Sequence, residues 1–156
     1  MFGLSTQKER QRLHFLQDFE APVRNVFSFY SDHNRLNEIY PAFIKRIIDS
    51  PNPTNCNDVG SARLIIGFPI FFTETITKYV ENKYIEYAIS YGSPIKNHIG
   101  KMQFIELSPN KTRLDYIIEF EPRIPYTGFF IHQINAKLVQ ESLSKLALRF
   151  RHNPNY

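Results

Sequence analysis

Apolar and polar positions follow two different periods along this chain. Residues 13–19, Leu-His-Phe-Leu-Gln-Asp-Phe, alternate well enough and carry enough aromatic bulk to predict an opening strand. Ala21-Pro22 comes next, and proline suits a first helical turn because its φ is preset and that turn needs no N–H from it. Val23, Val26, Phe27 and Tyr30 then recur at helical spacing and predict one short helix. Ser31-Asp32-His33-Asn34 supplies capping side chains ahead of Leu36, Ile39 and Tyr40, and Pro41 closes a second short helix.

From Ile44 onward the period becomes two. Residues 44–49, 61–67, 71–79, 84–91, 99–107 and 112–121 all read as strands. The turn signals between them are Ser50-Pro51-Asn52-Pro53, Gly67-Phe68-Pro69, Glu81-Asn82-Lys83, Gly92-Ser93-Pro94 and Ser108-Pro109-Asn110, each short enough for an antiparallel hairpin. In the last strand Leu114, Tyr116, Ile118 and Phe120 share one face while Arg113, Asp115, Glu119 and Glu121 occupy the other, so one face is buried. Ile85, Tyr87, Ile89 and Tyr91 likewise share a face, which carries phenol hydroxyls into the interior.

After Tyr126 the period returns to 3.6, and a helix over residues 128–151 would run about 36 Å. Ile131, Leu138, Val139, Leu143, Leu146 and Phe150 form its apolar stripe, with Lys137, Gln140, Glu141 and Ser144 outside. Asn135 and Ser142 fall inside the stripe, where an uncompensated polar group costs about 1–3 kcal/mol, so each needs a partner, a water or a ligand. The predicted class is α+β: a curved seven-stranded antiparallel sheet wrapped around a long C-terminal helix, with two short helices after the first strand. Residues 1–12 read as a flexible segment and 13–156 as one domain.

Composition narrows this further. Fourteen Phe and nine Tyr exclude general disorder. Nineteen Lys and Arg stand against fifteen Asp and Glu, a formal charge of +4, but the signs are interleaved. The basic stretches, Lys8, Arg10 and Arg12 and then Lys145, Arg149 and Arg151, accompany no nucleic-acid motif, so no nucleic-acid partner is expected and membrane contact is at most transient. Cys56 is alone, which rules out an internal disulfide, and no stretch is long and apolar enough for a membrane span, so the expected compartment is the cytoplasm. Asn110-Lys111-Thr112 would accept a glycan only in a secreted chain. No phosphate loop, dinucleotide fingerprint, nucleophile elbow or zincin helix occurs, and the histidines lack metal-ligand spacing, so neither a cofactor nor a metal is expected.

Several local strings carry a resemblance: the Ala21-Pro22-Val23 entry after Phe19, Asp32-His33, Gly60-Ser61, Glu74-Thr75-Ile76, Ile85-Glu86-Tyr87, Asn97-His98-Ile99-Gly100 and Thr112-Arg113-Leu114-Asp115-Tyr116. With the order of elements, over residues 13–150, the chain resembles the START-like helix-grip superfamily, also called SRPBCC. That superfamily includes the polyketide cyclase/dehydrase and lipid-transport group, and this chain is similar to its small bacterial members of unassigned function. The resemblance implies a cavity between sheet and long helix that holds lipids, sterols, polyketides, quinones or plant hormones in different members. It implies no particular reaction.

Within such a cup, Arg63 and Glu74 meet as a cross-strand pair if the turn at Gly67-Phe68-Pro69 is symmetric. They would bind a carbonyl or acid head group, or Glu74 would act as a general base; a surface ion pair is the plainer alternative. His33 and His98 would lie near the open end, as ligand donors or as ordinary capping groups. The remaining candidates for the lining are Tyr87, Tyr91, Tyr116, Asn135, Leu138 and Ser142. Three functions compete. The first is binding or transport of a hydrophobic small molecule without catalysis. The second is a cyclase or dehydratase using Glu74 or His98. The third is a partner-docking or homodimeric module built on the aromatic runs at 68–72 and 129–130, leaving monomer and homodimer both open.

Overall fold

A computed structural model describes residues 10–156. The elements run β1 (Gln11–Phe19), α1 (Val23–Ser31), a 3-10 helix (His33–Glu38), β2 (Phe43–Ile48), β3 (Ala62–Gly67), β4 (Ile70–Val80), β5 (Tyr84–Gly92), β6 (Ile95–Ser108), β7 (Lys111–Pro122) and α2 (Gly128–His152). All seven strands form one antiparallel sheet in the order β1-β7-β6-β5-β4-β3-β2. Successive hairpins account for β2 to β7, since short turns make sequence neighbours into sheet neighbours. The first strand closes on the last, with Leu13 opposite Ile118 and Phe15 opposite Tyr116, while α1 and the 3-10 helix carry the chain from one sheet edge to the other.

The expected inner face of β7 is the inner face: Leu114, Tyr116, Ile118 and Phe120 are all buried. Helix α2 packs against β1 and β7, but its stripe is filled unevenly. Val139, Leu143, Leu146 and Phe150 are buried, and Phe150 meets Phe19 and Phe29 edge-on at 5.9 and 6.5 Å, within reach of the favourable ring quadrupole geometry. Ile131, Asn135 and Leu138, toward the N-terminal end, are only half-buried. The C-terminal half of α2 therefore supplies the core, and the N-terminal half roofs an opening.

The second short helix is present as expected, and three other expectations are corrected. That helix is a 3-10 segment, entered by an Asx turn in which Asn34 N–H donates to Asp32 Oδ1 at 3.0 Å and held at its exit by Asn37, whose amide bridges the backbone of Ile44. Strand β6 begins at Ile95 instead of residue 99, because a bulge between Lys96 and Ile99 takes up one extra residue around Asn97 at φ +51° and pairing resumes beyond it. Tyr91 is 70% exposed: Glu74 faces Ile89 but Thr73 faces Tyr91, so Ser90 is an extra residue and the bulge rotates Tyr91 to the outer face. Gln11 and Arg12 belong to β1, and Arg10 pairs with Glu119 at 3.1 Å, so these residues are ordered by the sheet; residues 1–9 lie outside the described residues. Among the described residues no helix is long and apolar enough to cross a membrane.

Candidate functional site

A cavity of about 600 Å³ lies between the concave sheet face, the 3-10 helix and the N-terminal half of α2. That volume falls in the range that holds a drug-sized or lipid-like molecule. Its walls are mostly aliphatic and aromatic, among them Leu36, Ile44, Ile65, Phe72, Ile85, Ile118, Ile131 and Leu138. Its polar groups are few and convergent.

The β3–β4 hairpin places the central pair. Gly67 faces Ile70 across the Phe68-Pro69 turn, so every second pair inward points into the cup: Ile65 with Phe72, then Arg63 with Glu74. Arg63 Nε donates to Glu74 Oε2 at 2.7 Å, and Nη2 lies 2.7 Å from the same oxygen. Both residues are buried and both line the cavity, so the pair is internal and not a surface ion pair. The guanidinium also rests 4.7 Å above the Tyr87 ring. Burial opposes its charge, but the Glu74 carboxylate together with the Tyr87 and Tyr116 hydroxyls holds the Arg63 pKa above its ordinary value.

Tyr87 and Tyr116 share a hydroxyl–hydroxyl hydrogen bond, and Tyr40, also on the lining, directs its hydroxyl toward Tyr116 and Ser142. Burial pushes the Tyr87 and Tyr116 phenols up, so both remain protonated donors at neutral pH. His98, within the β6 bulge, lines the same cavity with its ring 5.5 Å from that of Tyr87. Burial lowers its pKa against the pull of Glu74, and Arg63 lowers it further, which favours the neutral imidazole; its Nδ1 is buried without a partner among the described residues.

Tyr87 lies flat across Gly100, its register partner on β6. A Cβ at residue 100 would stand 2.3 Å from Tyr87 Cζ and 2.7 Å from its hydroxyl, far inside van der Waals contact. Gly100→Ala is therefore expected to push the Tyr87 ring off Tyr116 and from beneath Arg63. The expected loss of about 1–3 kcal/mol of stability is typical of overpacking and would be measured by urea unfolding. Unchanged stability would mean that Tyr87 has a second comfortable position.

Of the other candidates, Leu138 and Asn135 line the cavity, and the Asn135 amide donates to the Ile131 carbonyl at 3.0 Å. Ser142 is buried outside the lining, its hydroxyl donating to the Val139 carbonyl at 2.7 Å, so its own helix supplies the partner. Tyr91 lies on the outer face for the reason given above. His33, expected near the open end, is fully buried behind the lining, with Nε2 3.0 Å from Ser61 Oγ. Sequence reasoning missed Tyr30 and Tyr40 as cavity groups, reading them only as apolar positions of the short helices. The signal available was chemical, since a tyrosine at a buried helical position carries a hydroxyl that needs a partner, and Tyr30 OH has none among the described residues.

The family model for polyketide cyclase/dehydrase and lipid transport matches residues 11–151. The chain belongs to that family. The START-like recognition and the curved-sheet, helix-grip class hold accordingly, and solved structures share the fold. A START superfamily protein from Mycobacterium smegmatis is 14% identical with a TM-score of 0.76, over 90% of this chain and 97% of that one. A solution structure from Thermobifida fusca is 17% identical with a TM-score of 0.73, over 93% and 97%. Norcoclaurine synthase from Thalictrum flavum, solved in complex with dopamine and hydroxybenzaldehyde, is 13% identical with a TM-score of 0.65, over 96% and 95%. No curated protein sequence matches the chain.

This family member also exposes large apolar groups. Phe68, which lines the cavity, is 97% exposed at the β3–β4 turn, and Phe129 and Phe130 are 64% and 67% exposed in the first turn of α2. Phe71 is exposed on the outer face, whereas Phe72 turns into the cavity. Aromatic groups lie open to solvent in both runs singled out from the sequence.

Proposed function

We propose that this chain binds a hydrophobic small molecule inside the cavity, as a carrier or sensor. The observation that carries the reading is the apolar cavity of about 600 Å³ with its polar groups gathered around Arg63 and Glu74. An apolar ligand entering it would exchange water contact for aliphatic and aromatic walls, at roughly 25 cal/mol per Å² of apolar surface removed from water. Membership of a family described by cyclisation, dehydration and lipid transport supports the same reading.

The test is native mass spectrometry with organic extraction on protein from its own host, comparing wild type with Leu138→Trp, which fills the cavity from the half-buried end of α2. A defined co-purifying mass is expected in the wild type and at least about tenfold less in the variant, the loss that about 1.4 kcal/mol of affinity produces. An empty wild type that also takes up no added apolar compound would overturn the reading.

A second reading, acid–base catalysis, is favoured by one observation: Glu74 and the neutral imidazole of His98 line the same cavity. Turnover of a bound compound by wild type, lost in both Glu74→Gln and His98→Gln while binding persists, would establish it. Binding without change of the bound compound would leave the carrier reading in place.

A further inference from the structure

Resting on the ligand-binding reading, we infer that the preferred ligand is uncharged and ends in a hydroxyl, an alcohol or a phenol, which donates its proton to Glu74 Oε1 and whose oxygen can accept one from the unpartnered Tyr30 phenol of the same cavity wall. Three observations on the lining lead there, and the first is charge. Among the described residues the ionisable groups of the cavity wall are Arg63, Glu74, His98 and the tyrosines Tyr30, Tyr40, Tyr87 and Tyr116. Arg63 is already matched by Glu74 at 2.7 Å, and the phenols are neutral, as is His98. A carboxylate or phosphate head would enter a low-dielectric site without a spare cation, and an ammonium without a spare anion.

The second observation is the form of the ion pair. Both Arg63 contacts fall on Oε2 of Glu74. Oε1 has no protein donor among the described residues, although a carboxylate oxygen can accept two hydrogen bonds. A ligand donor fills that position, and a ketone or an ester cannot.

The third is a spare proton. The Tyr40, Tyr87 and Tyr116 hydroxyls are taken up by one another and by Ser142, but the Tyr30 hydroxyl is buried on the cavity wall with no partner among the described residues. A hydroxyl oxygen accepts from such a donor while its own proton goes to the carboxylate, so one small group meets both needs.

The experiment uses the intact chain and four compounds with matched twelve-carbon tails: 1-dodecanol, 2-dodecanone, dodecanoate and dodecyl phosphate. Each competes near neutral pH with the uncharged fluorophore N-phenyl-1-naphthylamine, and native mass spectrometry gives the stoichiometry. The alcohol is expected to bind tightest, the ketone several-fold more weakly, and the two anions at least about tenfold more weakly, or about 1.4 kcal/mol. Dodecanoate or the ketone binding as tightly as the alcohol would overturn the inference while leaving ligand binding intact. Failure of the fluorophore and all four compounds to bind would overturn the ligand-binding reading and the inference with it. Glu74→Gln leaves Arg63 as an unmatched cation and is expected to reverse the order of alcohol and dodecanoate; a folded variant that keeps the wild-type order would remove the charge argument. Should that variant fail to fold, the wild-type ranking decides alone.

Discussion

Arg63→Leu is expected to cost about 3–5 kcal/mol of folding stability, the largest effect of any single substitution considered for this chain. The reason is the group left behind. Glu74 is only 8% exposed and takes both of its protein contacts from Arg63, so removing the guanidinium strands a carboxylate in an apolar cup. The double variant Arg63→Leu, Glu74→Leu removes both charges and is expected to recover most of the loss, because the desolvation cost disappears with them. Urea unfolding of wild type, single and double variants near neutral pH measures this. A single variant within about 1 kcal/mol of wild type would mean that the pair is screened like a surface one, and the argument built on its burial would fall.

Acidification is expected to destabilise the protein through His33 well before its carboxylates titrate. His33 is fully buried, and burial first, with Arg63 and Arg46 adding to it, holds its pKa at about 3 against an ordinary 6.5. Between those values the unfolded chain carries a proton that the folded one refuses, so folding stability falls as pH drops from 6.5 toward 3 and is unaffected by this residue above 6.5. The limiting slope is about 1.4 kcal/mol per pH unit. His98 shifts in the same direction and adds to it. The Glu38 and Glu86 carboxylates, with pKa values lowered from 4.5, withdraw their contribution only below that pH, which leaves the range 4.5–6.5 to the histidines. Urea unfolding at several pH values across that range, for wild type and His33→Asn, should show a steep wild-type slope and a clearly shallower one in the variant. Equal slopes would mean that His33 is protonated without cost.

The same residue separates what local pattern conveys from what packing conveys. His33 follows Asp32 in a capping string, and a histidine there is ordinarily a solvated helix-end group. Only its burial in the folded chain, with Ser61 against its Nε2, turns it into a buried neutral imidazole. Tyr91 errs in the other direction. Strict alternation carries it inside with Tyr87 and Ile89, and a single extra residue at Ser90 reverses its face. A bulge leaves little mark in a sequence, because the side chains on either side of it are as apolar as in a regular strand. Asn135 and Ser142 were legible as polar positions in an apolar stripe, yet their hydrogen bonds run to carbonyls of their own helix at Ile131 and Val139.

The sequence by itself determined the order and number of the strands, the long C-terminal helix, the buried face of β7 and the opposition of Arg63 to Glu74, because each depends on periods of 2 or 3.6 and on turns a few residues long. Tertiary structure alone decided that α2 is packed at one end and raised over a cavity at the other, that Tyr30 and Tyr40 join the lining, and that Gly100 makes room for the Tyr87 ring. These features depend on distances between elements far apart in the chain, and such distances follow from the summed curvature of the sheet and the volumes packed against it, which no local window contains.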